Sequence, residues 1–348
     1  MRVLYGIQGT GNGHISRALE ILPELKKRAH VDILVSGRQS ELNLPYPIKY
    51  QLHGLGFVFG ARGGIDLIET YKKSRLRKFY KEVKNLDLSS YDLIISDFEP
   101  ITAWASIQKG KYCVGLSNQA ALLSPLVPKG SQDDVVGKFI IKNYAPCAQN
   151  IGFSYKAYDH YVYSPIIRKS IRALKCENNG EYVVYLPSYS DDRIVNVLGQ
   201  LPDIPWHVFS KRATSSKQFG NVRISKLNGA SFELALTTAP GVLTAAGFGT
   251  TTEALFLNKK LLVIPQKHQY EQGCNAMALS DMGVPIVKSL KPKHLEKIEE
   301  WAATSTPIHL DYPDLTERII DRIFQEYPET GDPYVHYITE AQYGLQPV

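Results

Sequence analysis

Short β-branched and apolar runs alternate with longer stretches whose apolar positions recur every three to four residues, and this alternation runs through most of the chain. Strand, helix and strand in repetition predict parallel sheets covered by helices, an α/β fold class. In the first half the pattern predicts strands at Arg2 to Ile7, Val31 to Ser36, Asp92 to Ser96 and Tyr112 to Leu116, with helices around Ile15 to Lys27 and Ile101 to Gln108. The second half repeats the design with strands at Tyr182 to Leu186, His207 to Phe209, Gly241 to Thr244 and Leu261 to Ile264, and helices near Thr251 to Leu257 and Gln272 to Asp281. Between the halves lies SPIIRKSIRALKCENNG, residues 164–180, a charged stretch closing on Asn-Asn-Gly. The expected organisation is therefore one unit over 1–165, a second over 180–312, and a final helix and tail over 313–348, the helix (Leu315 to Phe324) packing back on the first unit.

Composition narrows the class. The chain has 348 residues, 44% hydrophobic and 21% charged, which suits two ordinary globular cores and excludes a disordered or fibrous chain. No apolar run reaches the ~18 residues of a membrane span, and turn residues follow the first strand too soon for a signal peptide, so a cytoplasmic protein is expected. Cys113, Cys147, Cys176 and Cys274 are far apart and form no CxxC pair, which disfavours a disulfide framework or a zinc knuckle. The net charge is +6, and the window from Glu69 to Lys84 alone holds seven basic against two acidic residues. With most of the excess in one patch, nucleic-acid binding is not the natural expectation. Read as a helix, that window places Ile68, Leu76, Phe79 and Val83 on one stripe and Lys73, Arg77, Lys81 and Lys84 on other faces. That layout fits weak contact with anionic membrane, and it fits equally a stripe packed on the sheet.

Candidate chemistry begins in the loop after the first strand, GTGNGHISR. Gly9, Gly11 and Gly13 permit a sharp turn and close approach of a ligand, and the loop delivers His14 to a helix N-terminus, where the dipole favours the neutral imidazole that a general base needs. The spacing GxGxG departs from the dinucleotide pattern GxGxxG, and the next strand ends in Ser36-Gly37-Arg38 with no ribose-binding acid. An NADP-dependent oxidoreductase would rest on Arg38, and a plain strand-to-helix turn is the structural alternative. Asp97 and Glu99 follow the strand DLIIS at the carboxyl edge where parallel sheets open their ligand crevice, and either can orient His14. Equally, Asp97 can be a helix cap and Glu99 a first-turn acid.

The densest signal lies in the second half, in AAGFGTTTEALFLNKKLLVIPQKHQYEQGCNA. Gly247, Gly249, Thr250 and Thr251 set small and hydroxyl residues between a strand and a helix N-terminus, a site where backbone N–H groups can hold a diphosphate without a metal. Glu253, one turn on, can accept hydrogen bonds from a ribose diol, or can simply be good first-turn chemistry. Glu271, Gln272 and Asn275 open the next helix at spacings that can present one face to adjacent sugar hydroxyls.

These segments resemble the GT-B glycosyltransferases, especially the family 28 and family 1 relatives that include the bacterial lipid I GlcNAc transferase and the diacylglycerol glucosyltransferases. Gly11, Asn12, Gly13, His14 and Arg17 resemble a GxGxGHxxR acceptor loop, one residue longer than the GTGGH of the lipid I enzyme. Gly247 to Glu253 resembles the donor loop with Glu253 at the ribose position, and EQxxNA resembles the close of the donor motif with Glu271 and Gln272 at the sugar. The segment around His268 is one residue shorter than in the lipid I enzyme. The resemblance implies two facing Rossmann-like domains with chemistry in the cleft, and places Ser188 near the diphosphate and Leu227 near the base. It further implies inverting, metal-independent transfer of a sugar from a nucleoside diphosphate, UDP first, to an acceptor hydroxyl on a glycan, lipid or small molecule. His14 would be the base, supported by Asp97 or Glu99. No cofactor is expected, the nucleotide sugar being a substrate. No DxD-like acidic pair calls for a metal. A lipid-linked acceptor would suit attachment at the inner face of the membrane. A nucleotide-sugar 2-epimerase and a catalytically silent binding module share the same layout.

Overall fold

A computed structural model describes residues 1–37, 44–55, 76–131 and 134–327 of the chain. Arg38, residues 68–75 with Ile68 and Lys73 of the basic segment, and the tail from 328 onward lie outside the described residues.

Two sheets carry the molecule. The first has seven strands in the spatial order Tyr50–Leu52, His30–Ser36, Arg2–Gln8, Leu93–Asp97, Cys113–Ser117, Gln149–Phe153 and Val162–Tyr163, with all neighbours parallel. The second has six, ordered Lys217–Phe219, Val222–Lys226, Trp206–Ser210, Tyr182–Tyr185, Gly241–Thr244 and Lys260–Val263, parallel except for the hairpin between its first two. The central strands are buried end to end, as in Leu93–Asp97 and Gly241–Thr244, because helices cover both faces of the sheet.

In each sheet the strand order reverses once between adjacent strands. In the first this happens between Arg2–Gln8 and Leu93–Asp97, and in the second between Tyr182–Tyr185 and Gly241–Thr244. Chains leaving such a pair at their carboxyl ends turn to opposite faces, so a crevice opens between them. The loops at Gln8 to Gly13 and Asp97 to Glu99 edge the first crevice, and those at Leu186 to Ser188 and Ala245 to Gly249 edge the second.

The last helix, Thr316–Gln325, crosses back to the first sheet. Its Ile319, Ile320 and Ile323 are fully buried with Ile21, Leu22 and Leu25 of the Asn12–Lys26 helix, and Arg28 pairs with Asp321. Phe248 packs against the cores of both sheets, and Tyr155 and Thr251 share a hydrogen bond at 2.7 Å. Two glycines permit the halves to touch. A Cβ on Gly137 would sit 2.3 Å from Cβ of Tyr270, and one on Gly130 would sit 2.9 Å from the Gly273 backbone.

The basic segment is described from Leu76 onward. In the Leu76–Asn85 helix, Val83 is buried and Phe79 packs partly buried against the cluster that includes Leu86, Ile101 and Ala105, while Leu76 is exposed. No helix among the described residues is long and apolar enough to cross a membrane.

Candidate active site

His14 sits in the first turn of the Asn12–Lys26 helix because the strand Arg2–Gln8 ends at the crevice and the glycine loop turns the chain within four residues. Three residues on, Arg17 falls on the same helix face. Both reach Asp97, the last residue of the neighbouring strand and wholly buried. Nδ1 of His14 lies 2.7 Å from Asp97 Oδ1, and Arg17 donates from Nε to Oδ2 at 2.9 Å and from its second nitrogen to Oδ1. Burial pushes the Asp97 carboxyl up, but the Arg17 cation and then His14 outweigh it and hold the group below its ordinary value. An ionised Asp97 can accept a proton from Nδ1 of His14, and in that tautomer Nε2 carries the free lone pair.

Glu99 does not join this group. Its carboxylate caps the Pro100–Gln108 helix, accepting the N–H of Ile101 at 2.8 Å and of Thr102 at 2.6 Å, with the hydroxyls of Ser36 and Thr102 completing its shell. Burial keeps its carboxyl above the ordinary value despite these donors. Between the two acids, Phe98 holds φ of 50°, a left-handed conformation that sends the chain from strand to helix in a single residue and turns the ring into the cleft. Strain of that kind gathers at functional loops, and nothing in the pattern of DFEP signals it.

A cavity of about 800 Å³ opens between the halves. His14, Phe98 and Gln119 line it from the first half, and Gln266, His268 and Glu271 from the second. Glu271 faces Asn118 and Gln119, which donate to its two oxygens at 2.8 and 3.0 Å. These two amides follow the strand Cys113–Ser117 at its carboxyl end, where Ser117 caps the short helix Asn118–Ala121. The oxygen of Asn118 in turn accepts from Arg17 at 3.2 Å. Asn118, Gln119 and the Val135–Asn143 helix, whose Val136 and Ile140 form an apolar wall, are site residues that the sequence pattern did not single out.

The remaining donor-side residues sit around the second crevice. Gly247 caps the Phe248–Phe256 helix without a side-chain bond, and added Cβ atoms at Gly247 or Gly249 would meet nothing, so the N-terminal N–H groups are open to a ligand. Thr250 is half-buried there. Thr251 is buried, its hydroxyl against Tyr155 and the Gly247 carbonyl, so it braces the helix and does not face its open end. Glu253 is held by Arg168, with Nε and the second nitrogen at 2.7 and 2.9 Å from its two oxygens. Burial raises its carboxyl above the ordinary value even against that cation. Gln272 bonds Gln266 at both ends of its amide, and Asn275 donates to the Ala246 carbonyl at 3.0 Å, so these two shape the loops while Glu271 alone of the three lines the cavity. Ser188 is exposed after its strand, and Leu227 packs partly buried at the end of Val222–Lys226. Gly11, Asn12 and Gly13 form the turn into the first helix.

Two α/β halves with glycine loops at both crevices narrow the possibilities, and comparison with known families decides among them. The model of glycosyl transferase family 1 matches residues 1–303. The chain belongs to that family. Among solved structures, this glycosyltransferase is similar to a UDP-glucosyltransferase from Polygonum tinctorium capable of glucosylating indoxyl, at 14% identity with 99% of each chain covered and a TM-score of 0.59. It is also similar to UGT89C1 of Arabidopsis thaliana, crystallised with UDP, at 12% identity over 96% of this chain and 97% of that one, TM-score 0.56. The calicheamicin glycosyltransferase CalG4 matches at 16% identity over the whole of both chains, TM-score 0.52. At these identities the likeness is one of fold, the GT-B arrangement of two facing α/β units. No curated protein matches the sequence. Membership of the family sets aside the NADP-dependent oxidoreductase, whose Arg38 lies outside the described residues.

Proposed function

We propose that this glycosyltransferase moves a sugar, with inversion and without a metal ion, from a UDP-sugar to an acceptor hydroxyl, with His14 as general base. The observation that carries the proposal is the placement of His14 in the wall of the interdomain cavity, its Nδ1 at 2.7 Å from a buried, ionised Asp97, facing Glu271 of the other half. In this scheme the acceptor proton passes to Nε2 of His14 as the acceptor oxygen bonds the anomeric carbon from the face opposite the diphosphate. The bond from that carbon to the diphosphate oxygen breaks, and the electron pair leaves with UDP. Charge building on the leaving group is met by the open N–H groups of the Phe248–Phe256 helix, fixed dipoles that need no reorganisation. Glu271 accepts hydroxyls of the sugar. Glu253 accepts the ribose diol on lone pairs left beside Arg168.

Similar structures in complex with UDP support the choice of base. The test is a thermal-shift series with UDP-, GDP- and TDP-sugars. A ligand at a hundred times its dissociation constant stabilises the native state by about 2.7 kcal/mol, so selective stabilisation by a UDP-sugar is expected. Stabilisation by GDP- or TDP-sugars alone, or by none of the series, removes the UDP assignment.

A further inference from the structure

We propose that Arg17 is a positioning residue for the transfer: its two-pronged hold on Asp97 turns the carboxylate's remaining edge to His14 Nδ1 and so fixes the imidazole as the tautomer with a free Nε2. The inference rests on His14 being the base. It goes beyond that reading by asking what keeps a carboxylate charged and aimed at full burial.

Three groups face the Asp97 carboxylate, and each limits what it can do. Arg17 occupies both oxygens, His14 sits on Oδ1, the Tyr5 hydroxyl lies 3.4 Å from Oδ2, and no water-exposed edge remains. A wholly buried carboxylate without a cation takes up a proton. A protonated Asp97 would donate to Nδ1, and the His14 proton would move to Nε2, where it blocks base catalysis. Arg17 also lies 3.0 Å from Nδ1 with its second nitrogen, a contact that by itself would favour the unproductive tautomer. The carboxylate decides between the two: Asp97 Oδ1 is the nearer group to Nδ1 at 2.7 Å and, kept charged by Arg17, it draws the imidazole proton to Nδ1 against the second hydrogen of that nitrogen.

The plane of the guanidinium is itself fixed. Its third nitrogen donates to Asn118 Oδ1 at 3.2 Å, its face lies over the Phe153 ring at 5.5 Å, and the Asn118 amide cannot turn over, because its NH2 group points at the Glu271 carboxylate. A cation on the oxygen side and an anion on the nitrogen side hold that amide in one orientation. Arg17 is thus braced from the second half of the molecule, across the cavity.

The experiment is nitrogen NMR of the full chain with labelled histidine, which distinguishes Nδ1–H from Nε2–H without any substrate. The unaltered protein is expected to show His14 as Nδ1–H, assigned by the loss of its signal in His14→Ala. Asp97→Asn, whose amide can donate to Nδ1, supplies the Nε2–H reference. Arg17→Gln keeps a donor but drops the charge, and it should shift the tautomer ratio towards Nε2–H by roughly tenfold to a thousandfold, the effect of removing an opposite charge at contact distance. Arg17→Lys keeps the charge and loses the fork, and should fall between the two. Nδ1–H retained in Arg17→Gln overturns the proposal while leaving His14 as base. Nε2–H already dominant in the unaltered protein overturns both. If the glutamine variant does not fold, the lysine variant decides: a ratio equal to that of the unaltered protein overturns the role of the fork, and a lower one upholds it.

Discussion

Asp97→Asn removes one charge from a place with no water and leaves the Arg17 cation facing an amide. The carboxylate is fully buried and accepts two bonds from Arg17, with Nδ1 of His14 at 2.7 Å from Oδ1. Breaking a buried ion pair on one side costs about 3–5 kcal/mol, because the surviving charge stays desolvated. For a domain of this size each kcal/mol lowers the midpoint by about 2–4 °C, so a loss of roughly 6 to 20 °C is expected. The pH dependence follows from the direction of the Asp97 shift. Its folded value is depressed, so its contribution is fully present above the unfolded value of about 3.9 and disappears as pH falls through the lower folded value. The gap between the unaltered protein and the variant should therefore be widest near neutrality and close below about pH 4. Urea unfolding followed by fluorescence at several pH values measures it. The double variant with Arg17→Met removes both charges, and its cost should fall short of the sum of the single costs by at least about 1 kcal/mol. Additivity within about 0.5 kcal/mol would refute the buried pair as the source of the effect.

His14→Ala should leave UDP affinity by calorimetry unchanged and lower the transfer rate by ~10²-fold or more; transfer at the unaltered rate would leave His14 no more than a structural partner of Asp97. Glu253→Ala should weaken UDP by roughly 1–3 kcal/mol, and equal affinity in a folded variant would leave Glu253 as no more than the partner of Arg168. Gly137→Ala places a methyl 2.3 Å from Tyr270 Cβ and should destabilise the contact between the halves by about 1–3 kcal/mol, read as a lower melting midpoint; a midpoint unchanged within error would show that the Val135–Asn143 helix gives way freely.

The site itself was legible in part. His14 and Arg17 share a helix face at a spacing of three, and Gly9 to Gly13 announce a turn before them, so the sequence marks both as candidates. Glu271 likewise stands out as an acid opening a helix. Their partners do not. Arg17 meets Asn118 across 101 positions, and Asn118 meets Glu271 across 153. Asn118 follows an ordinary strand and carries no local pattern. Glu99 shows the reverse: two acids with a single residue between them are equal candidates in the sequence, and the left-handed Phe98 sends Asp97 to the crevice and Glu99 to a helix cap.

By itself, the sequence determined the alternation of strands and helices and the two glycine-bearing loops, because periodicity and turn chemistry act over a few residues. Thus Gly241–Thr244 occurs as expected, and the Thr316–Gln325 helix differs from its expected span by one residue at each end. Only the tertiary structure decided which side chains share a charge. Strand order reverses between Arg2–Gln8 and Leu93–Asp97, and that reversal sets Asp97 beside the first helix. Burial and ionisation there depend on groups brought together from distant segments. The energy of a buried charge is fixed by every neighbour within a few ångströms, and such neighbours exist only once both sheets have packed.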